Sequence, residues 1–234
     1  FFGGPGLYAS DWDSKVSAAF VAYDADNDRI LGASSLSDVD GCKVVNVRRW
    51  RVVNNVLYVT VGITHPTTGK KIGALLRWYG DKNDPWKFHI VGLVDNEAAE
   101  LACFNNRIYI GTWAMVSAVH VSPEIPEGGF TPVSIDSEMW PKVWTSDVAE
   151  STKTLGRSIT SVAGFHEWRN HLYWGVFCPN YYVLSSAQAT YGSLTSPDAL
   201  AFILGNYRTP SFWRIDKDNN YELLYGDTTN PKPV

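Results

Sequence analysis

The sequence predicts an all-β protein assembled from a repeated four-strand unit, and three observations predict it. Apolar runs that begin with an aliphatic residue and tyrosine recur at Leu7-Tyr8, Leu57-Tyr58, Ile108-Tyr109 and Leu172-Tyr173, with tyrosines 50, 51 and 64 residues apart. The segments around them are short, rich in β-branched and aromatic residues, and bounded by Gly, Asn, Asp or Pro, as strands are. No sustained 3.6-residue apolar period runs along the chain, apart from a turn or two near Ser196 to Leu204.

Each unit contributes four elements. An inner strand comes first: VVNVRRWRVV from Val44, AAELACF from Ala98 and SITSVAGFHEW from Ser158. A two-residue polar turn follows (Asn54-Asn55, Asn105-Asn106, Arg169-Asn170), then the Tyr strand continuing as VTVG, IGTW or WGVF. The third element is FVAYD from Phe20, ALLRWYGD from Ala74, AVHVS from Ala118 or FWRID from Phe212. An outer strand closes the unit: RILGAS from Arg29, WKFHIVG from Trp86, FTPVSI from Phe130 and YELLYG from Tyr221. Four strands in about 50 residues is the pattern of a β-propeller blade.

The aliphatic-Tyr strand, its GxW or VG continuation and the strand ending in Tyr-Asp or Ile-Asp resemble the repeats of kelch-like propellers. The repeats are degenerate, and the resemblance implies only the strand order. On that order the chain is one propeller region: blade 1 incomplete over 1–34, blade 2 over 44–93, blade 3 over 97–135, blade 4 over 158–226, and a tail over 227–234. Blade 1 lacks an inner strand beyond Phe1-Phe2. The expectation is therefore part of a larger propeller, with a compact four-blade module as the alternative. The start at Phe1 without Met agrees with a processed chain or a piece of a longer one.

Composition sets the outer bounds. Hydrophobic residues are 45% and charged residues 19%, so the chain has the material for a large core and not the composition of a disordered one. A formal charge of −4 argues against nucleic acid, which demands clustered basic surface. No apolar run reaches the length of a membrane span. The three cysteines, Cys42, Cys103 and Cys178, fit no zinc spacing and leave at least one thiol outside any intrachain disulfide. The 10 Trp are the unusual number. Trp50, Trp78, Trp86, Trp113, Trp168, Trp174 and Trp213 recur near equivalent blade positions and read as packing between sheets.

Chain direction places all long insertions on one end of the strands: Ser35 to Lys43, Gly62 to Gly73, Asp136 to Arg157 and Phe177 to Pro210. The last two are expected to be spatial neighbours. Aromatic, weakly charged loops suit glycan stacking or protein contact, so the ligand-binding candidates are Trp140, Trp144, Asp147, Glu150, Tyr181, Tyr182 and His65. The plainer reading is that these aromatics fold the loops onto the sheets. Asp24, Asp26 and Asp28 form a calcium candidate. Against it, Asp81 to Asp84 and Asp216 to Asn220 occupy the same turn elsewhere, where Asp and Asn are ordinary turn formers.

His89, His120, His166 and His171 have no partner specified by local spacing. Asp11, Asp13, Asp95, Glu97, Asp147 and Glu150 are the carboxylates expected on the loop face, where a glycosidase would need two in spatial register. No GxSxG or HExxH run occurs. The expected function is a non-catalytic binding or scaffold propeller, secreted or at the cell surface, contacting protein or glycan through its long-loop face, without a cofactor. A role as one subunit of a larger assembly, in which another segment completes blade 1 by strand addition, falls within this expectation. The alternative is a glycan-active enzyme, hydrolase or lyase, on the same scaffold.

Overall fold

Three tight turns set the frame. Asn54 and Asn55 have φ of 49° and 61°, Asn105 and Asn106 of 48° and 54°, and Arg169 and Asn170 of 47° and 59°. Two successive left-handed residues make a hairpin turn whose twist matches that of the strands, and Asn tolerates the conformation better than most residues. Tyr58, Tyr109 and Tyr173 each stand third in the strand that follows.

The computed structural model describes residues 2–4, 19–35, 38–114, 116–146, 160–177, 181–206 and 210–226, with backbone alone at 2–4, 19–24, 30–35, 160, 181 and 182. Among the described residues the fold is mostly β, with curled antiparallel sheets and two helices. Contacts divide it into two units, 1–110 with 121–141 and 111–120 with 142–234.

In the first unit, β1 (Phe2–Gly4), β2 (Ala19–Asp24) and β3 (Arg29–Ser35) form an antiparallel sheet in that order. The strand expected at Leu7-Tyr8 lies outside the described residues, and Phe2–Gly4 is the neighbour of β2. A second sheet runs β4 (Asp38–Val39), β5 (Cys42–Val53), β6 (Val56–Thr64), β7 (Lys71–Trp78) and β8 (Phe88–Val94) in chain order. Its central strands are buried on both faces. Val59, Val61, Ile63, Leu76 and Ile90 belong to one cluster; Tyr58, Leu75, Val91 and Val94 pack with Ile108 and Ile110 in another. Burial on both faces explains why these strands read as near-continuous apolar runs.

Strand β9 (Glu97–Phe104) pairs with β10 (Arg107–Ala114). It is tied to β5 by charge. Between Val47 and Trp50, β5 carries one residue more than its partner strand. Such a bulge breaks the strict alternation of side chains, and the consecutive Arg48 and Arg49 both reach β9. Arg48 Nε donates to Glu97 Oε1, while Arg49 donates through Nε at 2.6 Å and Nη2 at 3.2 Å to the buried Glu100 carboxylate.

The outer strand expected from Phe130 to Ile135 does not form. Pro132 has no N–H to give a ladder, and residues 125–141 instead cross the β6–β8 sheet as a strap. Phe130 O accepts from Arg77 Nη1 at 2.6 Å and Tyr79 Oη at 2.9 Å, and Phe130 N donates to Tyr58 Oη at 3.2 Å. Val133 N and Trp140 N each donate at 2.9 Å to β8 carbonyls, of Ile90 and Leu93, which covers part of that strand's open hydrogen-bonding groups. Burial raises the Tyr58 phenol above its ordinary pKa.

In the third sheet the neighbours run β12 (Lys142–Thr145), β11 (Ala118–Glu124), β10, β13 (Thr160–Trp168), β14 (His171–Phe177), β15 (Ser211–Ile215) and β16 (Tyr221–Tyr225). Thus β12 fills the place beside β11 that was expected for Phe130 to Ile135, pairing Trp144 with Val119. The insertion from Phe177 to Pro210 is not an open loop. It holds α1 (Tyr181–Tyr191) and α2 (Pro197–Asn206), in contact through Tyr191 and Phe202 at 5.8 Å. Ser196 Oγ caps α2 by accepting from Ala199 N at 3.2 Å, and Pro197 suits the first helical position.

The Asp-rich turns are built as turn chemistry. Asp81 Oδ1 accepts from Asn83 N at 2.7 Å and Asp84 N at 2.9 Å. Asp216 Oδ1 accepts from Asp218 N and Asn220 N, each at 2.9 Å, and Oδ2 from the Asn220 amide at 3.0 Å. Both carboxyls sit below the ordinary value of 3.8: Asp81 chiefly through the Asp84 N–H and then that of Asn83, Asp216 chiefly through the Asn220 side chain and then its backbone. A depressed folded-state pKa gives stabilisation present above the unfolded value and lost as pH falls through the folded one. Carboxyl ¹³C titration is expected to place both midpoints below 3.8. Midpoints at or above it would contradict these bonds.

Candidate functional site

Backbone alternation divides the β13–β16 sheet into a packed face and an open one. Leu172, Trp174 and Val176 of β14 and Ser211, Trp213 and Ile215 of β15 are buried. The residues between them point the other way. Across that open face the register aligns Trp168 with His171, then His166, Tyr173, Arg214 and Glu222, then Gly175, Phe212 and Tyr225. Trp168 is 52% exposed, Phe212 40% and Tyr225 66%.

These side chains form a connected aromatic surface. Tyr173 stacks on Phe212 at 5.9 Å and 25°, and Trp168 and His171 lie 6.1 and 6.2 Å from the Tyr173 ring. The Arg169 guanidinium stands 4.2 Å over the Trp168 ring. Arg214 donates from Nε to Glu222 Oε2 at 2.8 Å. Its hydrogen bonds, to Tyr173 first and Glu222 second, raise the guanidinium pKa further. Gly175 leaves the middle open: a Cβ there would meet nothing closer than 3.8 Å. Flat rings framed by an arginine pair and a carboxylate can bury a partner's apolar face while bonding its polar rim.

The residues singled out in the sequence fall elsewhere. Trp140 and Trp144 are not surface platforms. Trp140 lies in the first unit, 5.5 Å from Phe130, where Gly92 makes room for its indole. Trp144 lies in the second unit against Trp174 at 5.7 Å and Trp213 at 5.5 Å. Both are buried, and burial rules out stacking on an external ligand. His65 ties its own loop together, Nδ1 accepting from Thr67 N and Thr68 N while Nε2 meets Asp136 Oδ1 at 3.1 Å. Asp147, Glu150 and Cys178, the side chains of Tyr181 and Tyr182, and the 227–234 tail lie outside the described residues.

Of the calcium candidate, the Asp24 side chain is outside the described residues, Asp26 Oδ2 pairs with Lys82 Nζ at 3.0 Å, and Asp28 takes a turn φ of 49°. Among the described residues no three His, Cys, Asp or Glu side chains converge as a metal-binding group. Cys42 is buried, and burial first, then the Asp40 and Asp136 charges, raise its thiol pKa. That disfavours the thiolate a nucleophile needs. Among the described residues no helix is long and apolar enough to cross a membrane.

The open face is hidden in the sequence because Trp168 shares its residue type and blade position with the packing tryptophans. The signal was present: His171, Tyr173, Gly175 and Phe177 alternate with Leu172, Trp174 and Val176. Among the described residues the fold is mostly β and carries an open aromatic sheet face. Compared with known proteins, the chain matches no family model, and no curated protein is significantly similar to it in sequence.

Proposed function

We propose that this chain is a non-catalytic binding or scaffold module of kelch-like β-propeller type, secreted or at the cell surface, that contacts protein or glycan through the open face of β13–β16. The observation that carries the reading is the aromatic surface of Trp168, Tyr173 and Phe212 with Arg214 and Glu222 at its centre. Such rings and arginines are the residue types that dominate contact energies. Support for blades comes from the four-strand runs β5–β8 and β13–β16 in chain order, and from matching bulges at Val47/Trp50 and Ala163/His166. The contact is assigned to this face and not to the long loops because Trp140 and Trp144 are buried.

The test is binding of the full chain to a panel of soluble glycans and secreted proteins, repeated with Tyr173→Ala. The variant is expected to weaken the best ligand about tenfold, as loss of a central aromatic contact does. Cleavage of a bound glycan by the wild type would favour the glycan-active alternative.

A further inference from the structure

The two four-strand runs end differently. Along β8, the last strand of the first run, the chain covers its own edge. Val133 N and Trp140 N donate to the carbonyls of Ile90 and Leu93, and Asp40 Oδ2 accepts from Ile90 N at 2.7 Å. Strand β16 ends the second run, and among the described residues no segment pairs with its outer edge. Tyr221, Glu222, Leu224 and Tyr225 are exposed and Leu223 is half-buried. The strand holds no Lys or Pro, the residues that commonly block an edge. An open edge presents main-chain N–H and C=O groups at strand spacing, which an extended backbone matches repeat for repeat and a glycan does not. The strap on β8 shows the same solution made within the chain.

The side chains narrow the partner further. Glu222 stands on the open aromatic face, in one row with Tyr173 and Arg214. Arg214 occupies its Oε2, so Oε1 makes no hydrogen bond among the described residues. The Glu222 side chain is 57% exposed against 33% for Arg214, which lies one strand further in. A residue added opposite Glu222 therefore meets the carboxylate before the guanidinium, and directly opposite pairs of unlike charge are favoured. Toward the end of the strand the exposed rings of Tyr225 and Phe212 continue the same face. We infer that the partner of the open face is a protein segment that adds to β16 as an extended strand. Its main chain pairs with the edge, a Lys or Arg lies over Glu222, and an apolar side chain lies toward Tyr225. This inference rests on the open face being the contact surface and names what docks there.

The probe is the end-capped peptide Thr-Val-Thr-Lys-Thr-Val-Thr, which as a strand carries Val, Lys and Val on one face. Titrated into the ¹⁵N-labelled full chain, it should give saturable amide shifts along Tyr221 to Tyr225. N-methylation of its three central residues, which blocks both edges of the peptide, should abolish them. Replacing its Lys by Glu should weaken binding about fivefold, and Glu222→Gln, an exposed position, should bring that ratio near one. The inference is overturned if the peptide leaves the β16 amides unmoved, if the N-methylated form binds as well, or if the Lys and Glu peptides bind alike. A concentration-dependent dimer whose β16 amides shift on dilution would overturn it in favour of a second copy of the chain. A peptide that fails while Tyr173→Ala still weakens the best panel ligand removes the edge and leaves the face standing. Tyr173→Ala without effect on that ligand removes the face, and this inference with it.

Discussion

Trp174→Ala is expected to destabilise the protein by about 3–5 kcal/mol, the usual cost of emptying a fully buried tryptophan site. Trp174 has no exposed surface and is held between Trp144 at 5.7 Å and Phe165 at 6.1 Å, with Trp213 paired to it across β15. The rings around it, Trp144, Phe165 and Trp213, are themselves buried, which limits how far the site can collapse. Trp174→Phe separates volume from polarity. Among the described residues the buried Trp174 indole Nε1 has no hydrogen-bond partner, nor has that of Trp144. Removing an unsatisfied buried donor returns part of the packing loss, so the phenylalanine variant should lose only about 1 kcal/mol. Urea midpoints of the two variants measure the difference. Equal losses would mean that the indole N–H finds an acceptor in solution.

Gly73→Ala is expected to cost about 3 kcal/mol or more, because the added methyl meets backbone and not a yielding side chain. A Cβ on Gly73 would collide with the Asn96 carbonyl oxygen and come within 2.6 Å of both Ala98 N and a Val94 methyl. The chain between β8 and β9 would have to move, and with it the first residues of β9, including Glu97. Gly175→Ala is the control. Its Cβ would sit in ordinary contact at 3.8 Å, and the change should stay within about 0.5 kcal/mol. Soluble yield and urea midpoints, compared across the two glycines, check the claim. A Gly73→Ala protein as stable as Gly175→Ala would contradict the close approach.

Much of the strand framework is legible because local chemistry dictates it. Asn54-Asn55 and Asn105-Asn106 announce left-handed turns, and the apolar runs beyond them have nowhere to go but a sheet. Even Arg169-Asn170, a weaker pair, makes the same turn because its flanking strands demand it. Longer-range features were not legible. The Phe130 to Ile135 segment has the composition of a strand, but Arg77, Tyr79 and Tyr58 capture Phe130 from residues more than 50 positions away. Among its described side chains helix α1 buries Val183 and Ala187, a stripe too narrow to show as a period.

The site was harder still. Trp168 and Trp174 are the same residue in adjacent strands, and one-residue parity sends the first to the open face and the second to the core. Trp144 looked like a loop residue, yet β12 places it in the packed tryptophan cluster. Composition alone cannot assign a face, whereas register can, and register depends on the turns and bulges together.

The central claim is that the open face of β13–β16 is the contact surface, and the ratio of Kd values for Tyr173→Ala and wild type on the panel's best ligand tests it most directly. Tyr173 touches Trp168, His171 and Phe212, so its loss should weaken binding about tenfold. A ratio near one, with the variant as stable as the wild type, would contradict the assignment.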